Sequence, residues 1–430
     1  MSDNSTFNRL EQQTWNLETW LKYLESIHPS NIELGLDRVA QVFKNLNISF
    51  SDKTVVTVAG TNGKGTTCAF IEEALLFKNQ SVAVFSSPHL IDYRERVRIK
   101  GKMLPEMNHC LSFLQVEVAR KDIALTYFEF GTLAALCLIA QSNADFIVLE
   151  VGLGGRLDAV NIINPNVAVI TSIGLDHQDW LGDTREKIAI EKAGIFRTNI
   201  DVVIGELDPP KTLIDEVKRI QVKAYWQSKD FKYSVDNNCF YWDDSIHNYQ
   251  HISKPMIPAQ NVSTGLKVLS LLGQTYNDDQ LSQIISKTKL MGRKHIVQSA
   301  PTVLLDVAHN PQATALLAND IMDLELDYDR VIAVVAMLAD KDIKASLAPM
   351  MDIVSSWNCA DLDVPRGASA NLIASHLTSN KKVVNFTSVL EAYKSALNVA
   401  QQGDLVVVFG SFFTVAEILN LKGYSLIEEA

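Results

Sequence analysis

The chain has 430 residues, of which 47% are hydrophobic and 21% are charged, so it has enough apolar sequence for a core and is long enough to predict two domains. Its formal net charge of −11 argues against a nucleic-acid partner, because nucleic-acid phosphates require a basic surface. The N-terminal stretch lacks a signal core and no apolar run is long enough to span a bilayer, which predicts a cytoplasmic protein without a membrane partner.

The first strong signal in chain order is the run VVTVAGTNGKGTT (Val55–Thr67), in which an apolar strand leads into a glycine-rich turn. Its glycines let backbone N–H groups surround phosphate oxygens, Lys64 adds a positive charge, and the following helix directs its positive end at the anion. The strict Walker spacing is not met, because only two residues separate Gly60 from Gly63. The order of strand, loop, lysine and helix still predicts a phosphate-binding loop, the alternative being a glycine-rich turn without a ligand.

Short β-branched runs continue through the first part of the chain and predict buried parallel strands. They are Thr54–Val58, Val82–Phe85, Phe146–Val151, Val167–Thr171 and Val202–Ile204. The stretch 208–258 breaks this alternation and predicts an antiparallel insert with a small aromatic core. Its aromatic residues are Tyr225, Trp226, Phe231, Tyr233, Phe240, Tyr241 and Trp242.

The alternation of strands and helices resumes after Gly292. The predicted strands there are Thr302–Asp306, Val331–Ala336, Val383–Phe386 and Leu405–Phe409. We therefore predict an α/β protein with a P-loop ATPase-type domain on a mostly parallel sheet over residues 1–298. A second, smaller Rossmann-like α/β domain is predicted over residues 299–430.

Polar residues follow several of these strands, at the edge where open α/β sheets bind ligands. The strand that ends at Glu150 leads into GLGGRLDA (Gly152–Ala159), which resembles a dinucleotide fingerprint except that Leu157 replaces its last glycine. A carboxylate at this place, downstream of a phosphate loop, is suited to hold Mg²⁺. The alternative is a glutamate that caps a turn or forms an ion pair.

Three further clusters carry candidate functional side chains. Asp176, His177 and Asp179 follow the strand 167–171, and Lys192 lies in the apolar segment IEKAGIF. In the second half, the candidates at strand ends are Asp306, His309, Asn310, Ser411 and Thr414. They suit nucleotide binding or a general base, although such residues also serve as ordinary turn formers and ion-pair partners.

Taken together, these segments resemble the ATP-dependent amide ligases of the Mur ligase superfamily, and within it the bacterial branch that joins glutamate both to dihydropteroate and to reduced folates. The resemblance extends from NIELGLDRV to GSFFTVAE, which is nearly the whole chain. Its specific stretches are AGTNGKGTT, SSPHLIDYRERV, LTYFEFGTLAAL, EVGLGGRLDAVNI, TSIGLDHQDWLG, EKAGIF and DVAHNP. It implies amide formation through an acyl phosphate made from ATP.

The resemblance also implies a role for individual residues. The ATP phosphates would be held by Thr61, Asn62, Gly63, Lys64, Gly65 and Thr66, with further nucleotide contacts from Asn261, Arg293 and Asp306. Ser87 and Glu150 would bind the Mg²⁺ on the phosphates, and His177 would bind a second Mg²⁺. A carbamylated Lys192 would support that second metal site.

The acceptor and the amino acid would bind beside the nucleotide. The acceptor would lie against Leu34, Gly35, Leu36, Thr126, Tyr127, Phe128, Leu157, Asp158 and Ala159. His309 and Ser411 would face the incoming L-glutamate. His295 departs from the family pattern, because relatives often have a glutamine at this position. This change would affect contacts to adenine or at the hinge between the domains. The expected partners are dihydropteroate, reduced folates and L-glutamate, and the expected state is a monomer.

Three other functions are alternatives to this one. One is a monofunctional folate ligase, and another is a P-loop ATPase or switch without ligation. The third is a ligase that adds amino acids to cell-wall UDP-sugar precursors. The third is disfavoured because the phosphate loop begins near Gly60, with no α/β domain before it.

Overall fold

A computed structural model describes residues 9–28, 33–236, 238–323, 328–377 and 381–424 of the chain. It confirms the predicted α/β class, with two sheets that are mostly parallel. Among the described residues, no helix combines the length and the apolar character that crossing a bilayer requires.

The first domain is built on a sheet whose centre is entirely parallel. Its strands are β1 Thr54–Ala59, β2 Val82–Phe85, β3 Val97–Ile99, β4 Lys102–Met103, β5 Phe146–Glu150, β6 Val167–Ile170, β7 Asp201–Ile204 and β8 Lys223–Trp226. Their order across the sheet is β4-β3-β2-β5-β1-β6-β7-β8, and β3 pairs antiparallel with both β2 and β4 while the other pairs are parallel. Val58 of β1 lies opposite Glu150 of β5, so the phosphate loop and this carboxylate leave the sheet at the same edge.

Helices cover this sheet and pack its apolar faces. They are α1 Arg9–Gln12, α2 Leu17–Ser26, α3 Asp37–Leu46, α4 Lys64–Phe77, α5 Glu106–Arg120, α6 Tyr127–Gln141, α7 Gln178–Leu181, α8 Arg185–Ala193, α9 Lys211–Ile220, α10 Ala259–Leu271 and α11 Asp278–Lys287. Two 3₁₀ turns occupy Tyr93–Arg96 and Ala159–Ile162. Helix α4 follows the phosphate loop without an intervening residue, and its apolar side chains join those of β1, β5 and α10 in one core.

The predicted antiparallel insert is confirmed, with one correction. It consists of β9 Lys232–Val235, β10 Cys239–Asp243 and β11 Asn248–Ser253, in the order β11-β10-β9. Phe231, Phe240 and Trp242 are buried and form the expected aromatic core. The assignment of Tyr225 and Trp226 to this insert is wrong, since both lie in β8, which pairs parallel with β7. Aromatic alternation alone cannot distinguish an edge strand of the large sheet from a strand of the insert.

The second domain contains a smaller sheet with helices on both faces. Its strands are β12 His295–Ser299, β13 Thr302–Leu305, β14 Val331–Val335, β15 Ser356–Ala360, β16 Lys382–Phe386 and β17 Leu405–Phe409, in the order β12-β13-β17-β14-β15-β16. Its helices are α12 Pro311–Met322, α13 Ile343–Leu347, α14 Ala370–Ala374, α15 Val389–Val399 and α16 Phe412–Leu421, with a 3₁₀ turn at Ala348–Met350. Only β12 runs antiparallel. The division at residues 298 and 299 stays a prediction, although β12 already belongs to the second sheet.

A buried ion pair fastens the antiparallel insert to helix α10. Asp244, in the turn between β10 and β11, accepts hydrogen bonds from Lys267 Nζ at 2.9 Å, Ser270 Oγ at 2.7 Å and the His247 backbone N–H at 2.8 Å. Both members of the pair are buried. Burial alone would raise the pKa of Asp244, but these hydrogen bonds and the lysine charge outweigh it and lower the pKa to about 2.

We expect Asp244→Ala to lower the free energy of unfolding by about 3–5 kcal/mol, because it leaves the Lys267 ammonium buried and unpaired. The double variant Asp244→Ala/Lys267→Met should recover a large part of this loss. The contribution of Asp244 should be complete above its ordinary pKa and disappear as the pH falls through about 2. Urea unfolding followed by circular dichroism measures all three. Equal losses in the single and double variants would contradict the coupling.

Candidate active site

A cavity of about 580 Å³ opens at the carboxyl edge of the first sheet and is also lined by residues of the second domain. It brings together most of the predicted site residues. Those that line it are Leu34, Thr61, Asn62, Gly63, Lys64, Gly65, Ser87, Thr126, Phe128, Glu150, Leu157, Asp158, Ala159, His177, Lys192, Arg293, His309 and Ser411. Gly35, Leu36, Thr66, Tyr127, Asn261 and Asp306 lie outside its lining.

The phosphate loop is shaped by a glycine and a close side-chain contact. Gly63 caps α4 with a φ of +83°, and a Cβ atom there would come within 2.4 Å of Asn261 Oδ1. Only glycine therefore fits this position, and Asn261 lies close to the loop without lining the cavity. The Lys64 ammonium donates to the carbonyl oxygens of Gly60 at 2.9 Å and Thr61 at 3.2 Å. Burial lowers the pKa of Lys64, an effect that nearby Glu150 opposes.

Glu150 projects from the end of β5 into the floor of the cavity. It is buried, and its Oε2 accepts a hydrogen bond from the Ser87 N–H at 3.1 Å. Burial raises the pKa of this carboxyl group, and the Lys64 charge partly offsets the rise. Within the described ranges, no three His, Cys, Asp or Glu side chains form a metal cluster. Such a sparse oxygen set fits Mg²⁺, which commonly takes one or two protein oxygens and completes its shell with phosphate and water.

Asp176 connects the two domains at the back of the cavity. Its Oδ1 accepts from Lys341 Nζ at 2.5 Å, and its Oδ2 lies 3.1 Å from Asn310 Nδ2 and 3.4 Å from His309 Nε2. Burial raises the pKa of Asp176, but the His309 hydrogen bond and the surrounding positive charges outweigh it and hold that pKa well below its ordinary value. Burial lowers the pKa of neighbouring His177 to about 4, which leaves its imidazole neutral and able to bind a metal.

Lys192 lies on α8 with its amine in the same cavity. Its side chain is buried and lines the cavity. Burial and the charge of Lys64 lower the pKa of Lys192 to about 7, against the opposing influence of Asp176 and Asp158. An ordinary lysine has a pKa near 10.4, so this amine has a much larger neutral fraction at neutral pH.

One wall of the cavity is apolar and carries the predicted acceptor residues. The Phe128 ring covers Gly152, where a Cβ atom would come within 2.4 Å of it. The hydroxyl of Thr126 accepts from the Glu129 N–H at 3.3 Å and thereby caps α6. Asp158 accepts from the Leu153 N–H at 2.8 Å, and burial raises its pKa to about 6. The wall thus offers a flat ring and a few fixed polar atoms.

The second domain supplies the opposite wall. Ser411 caps α16, its Oγ accepting from the Thr414 N–H at 3.0 Å. The Arg293 guanidinium lies 5.5 Å from the centre of the Phe412 ring. Asp306 accepts from the backbone N–H groups of Lys294 and Ala308, each at 2.8 Å, and fixes the segment that carries Arg293.

Sequence reasoning missed several ionisable residues of the cavity, among them His89, Arg96, Lys341 and Arg366. Lys341 follows strand β14, whose end is a place where ligands bind, so its position was a usable signal. Arg96 lies between Arg94 and Arg98 in a basic segment, and the sequence alone does not show which of the three faces the cavity.

The chain matches two families along most of its length. The Mur ligase middle domain family matches residues 58–274, and the Mur ligase glutamate ligase domain family matches residues 292–412. The dihydrofolate synthase/folylpolyglutamate synthase of Escherichia coli K12 is 43% identical over 413 residues, covering 96% of this chain and 97% of that protein.

Solved structures agree with these matches. Escherichia coli FolC in complex with DHPP and ADP has a TM-score of 0.91 at 43% identity, covering 96% of this chain and 99% of that one. A bifunctional folylpolyglutamate synthase/dihydrofolate synthase with Mn, AMPPNP and L-glutamate bound has a TM-score of 0.90 at 44% identity, again covering 96% and 99%.

Proposed function

The chain belongs to the Mur ligase family and, within it, to the dihydrofolate synthase/folylpolyglutamate synthases, and from this premise we propose how its cavity joins L-glutamate to dihydropteroate and to reduced folates with ATP. The single observation that carries the proposal is that one cavity contains a phosphate loop, the buried Glu150, the apolar wall at Phe128 and cationic groups of the second domain. Each of the three substrates therefore has a matching part of the same cavity.

A carboxylate does not react with an amine unaided, because its charge repels nucleophiles and its oxygen leaves poorly. Transfer of the γ-phosphoryl group of ATP to the acceptor carboxylate forms an acyl phosphate and ADP. The glutamate amine then attacks the acyl carbon, the C–N bond forms with loss of a proton from the amine nitrogen, and inorganic phosphate leaves with the electrons of the C–O bond. Lys64 and Arg293 neutralise the negative charge, and the cavity aligns the reacting atoms.

The metal-binding roles rest on the donor atoms at the carboxyl edge. Ser87 and Glu150 would hold the Mg²⁺ that accompanies the nucleotide, and that ion supplies charge neutralisation at the phosphates. His177, neutral at physiological pH, and a carbamylated Lys192 would hold a second Mg²⁺. The amine of Lys192 forms this group by attack on CO₂ with loss of a proton, which requires its neutral form.

The remaining assignments follow from the two walls. The pterin ring of the acceptor would lie against Phe128 and Leu157, with Asp158 and Thr126 contributing polar contacts. L-glutamate would enter beside His309 and Ser411. We propose that the protein acts as a monomer, since all of these groups come from one chain. We also propose a cytoplasmic location. A P-loop ATPase without a ligation partner would not need an apolar binding surface beside the phosphate loop.

Glu150→Gln should lower kcat/KM at least about 100-fold, because the metal contributes several kcal/mol of charge stabilisation. It should also abolish the shift in melting temperature that Mg²⁺ adds to ADP binding, a readout independent of turnover. The control is Glu186→Gln, an exposed carboxylate on α8 of the same domain. Normal Mg²⁺-dependent turnover in folded Glu150→Gln would exclude this carboxylate as a ligand.

We expect wild-type protein equilibrated with ¹³C-bicarbonate to show a carbamate carbon signal by NMR that is missing in Lys192→Ala. Lys187→Ala on the exposed face of the same helix should retain the signal. Added short-chain carboxylates should restore part of the lost activity of Lys192→Ala, because they can replace the missing carboxylate. An active, metal-loaded enzyme with an unmodified Lys192 would rule out the carbamate.

The purified protein should release ADP with glutamate and either dihydropteroate or tetrahydrofolate, and each acceptor should inhibit use of the other competitively. Phe128→Ala should raise the KM of both by about tenfold, as expected for loss of one stacking surface. Tyr241→Ala, in the distant insert, serves as the control. Turnover of tetrahydrofolate but not of dihydropteroate would show that the protein is a monofunctional ligase. ADP release independent of any acceptor would show that it is an ATPase.

A further inference from the structure

Among the described residues Arg96 has no acidic partner, unlike the neighbouring Arg94 and Arg98. Arg94 pairs with Asp92 at 2.8 Å, and Arg98 pairs with Glu72 at 2.7 Å. Arg96, which lies between them and lines the cavity, contacts no carboxylate in the described part of the chain. A guanidinium that is half-buried without a counter-ion is unfavourable unless a ligand supplies the negative charge.

The guanidinium of Arg96 is also held in a fixed orientation. Its Nε donates to His89 Nδ1 at 2.8 Å, and its Cζ lies 5.4 Å from the centre of the Tyr93 ring and 5.8 Å from that of the Tyr127 ring. Burial and the charge of Arg96 hold the pKa of His89 at about 4, so this imidazole is neutral and can accept. Within the described ranges no hydrogen bond engages its two terminal nitrogens, and a guanidinium presented in this way can bind a carboxylate with two hydrogen bonds.

Arg96 lies between the reacting edge and the acceptor wall. Its carbonyl oxygen accepts from the Ser86 N–H at 2.9 Å, one residue before Ser87, whose own N–H binds Glu150. On its other side it faces Tyr127, the neighbour of Phe128 in the first turn of α6. Arg96 thus lines the same cavity as Phe128 and the phosphate loop, the two regions that a bound acceptor would span.

Dihydropteroate and reduced folates differ in the number of carboxylates that they would bring into the cavity. Dihydropteroate has one carboxylate, and that carboxylate reacts. A reduced folate ends in a glutamate, so it has a second carboxylate that does not react and would be buried in the cavity. Resting on the proposed function, we propose that Arg96 binds this non-reacting carboxylate and thereby determines how well the enzyme accepts folates relative to dihydropteroate.

Arg96→Gln tests this in the full-length enzyme with ATP, Mg²⁺ and glutamate. It should raise the KM for tetrahydrofolate by about tenfold or more, the effect of losing a charged hydrogen-bonded pair. The KM for dihydropteroate should stay within about twofold of wild type. Arg96→Lys should recover part of the loss, because it keeps the charge without the paired hydrogen bonds. Arg94→Gln, on the same segment but outside the cavity lining, is the matched control.

A modified acceptor provides the second arm. Tetrahydrofolate whose non-reacting carboxylate is converted to an amide should bind wild type as weakly as tetrahydrofolate binds Arg96→Gln. Combining the modified acceptor with Arg96→Gln should cause no further loss, because both changes remove the same interaction. Calorimetric binding in the presence of ADP measures this without turnover.

Three other outcomes would overturn the inference. Equal loss with both acceptors would assign Arg96 to the reacting carboxylate, and a raised KM for ATP would assign it to a phosphate. A lower melting temperature with the same change in both KM values, shared by Arg94→Gln, would leave a structural role. If wild-type enzyme used neither acceptor, the proposed function itself would fail, which is a different result from any of these.

Discussion

The parallel pairing of β1 with β5 on one side and β6 on the other is the constraint on which the site depends. Parallel strands present their carboxyl ends at a common edge, so three segments that are far apart in sequence emerge together. The first carries the phosphate loop, the second ends in Glu150, and the third continues to Asp176 and His177. A shift of register in the first pairing would separate the phosphate loop from Glu150, and a shift in the second would separate it from Asp176 and His177.

Placing these groups together concentrates charge in a poorly solvated space. Burial lowers the pKa of Lys64 and Lys192 and raises that of Glu150, so each group alone tends toward neutrality. Glu150 and Lys64 counteract each other, and Asp176 is kept ionised by the cations around it. The charge states are therefore interdependent: a carbamate on Lys192 would replace a cation with an anion and increase the affinity of the cavity for divalent metal.

The sequence allowed prediction of the elements that carry strong local signals and missed those defined by long-range contacts. Continuous apolar runs such as 331–335 identified the buried strands, and the glycine spacing identified the phosphate loop. Strand β15 was missed because SWNCA interrupts the β-branched pattern with polar and small residues, although Trp357 and Cys359 are fully buried. Lys341 and Arg96 were missed because their importance follows from which way the side chain faces, and that is decided by the assembled fold.

Contacts between the domains connect the phosphate loop to the glutamate side of the cavity. The side-chain amides of Asn62 and Asn310 exchange two hydrogen bonds, at 3.1 and 3.0 Å, and Asn62 also reaches Gln312 at 2.8 Å. Asn310 in turn contacts Asp176, which pairs with Lys341. An acyl phosphate is rapidly lost if water reaches it, so the reaction needs a cavity that is closed when phosphoryl transfer occurs. Because Asn62 of the phosphate loop also makes the inter-domain contact, ATP bound at this loop as proposed would couple nucleotide binding to closure through the same side chain. The free energy of either process therefore depends on the other.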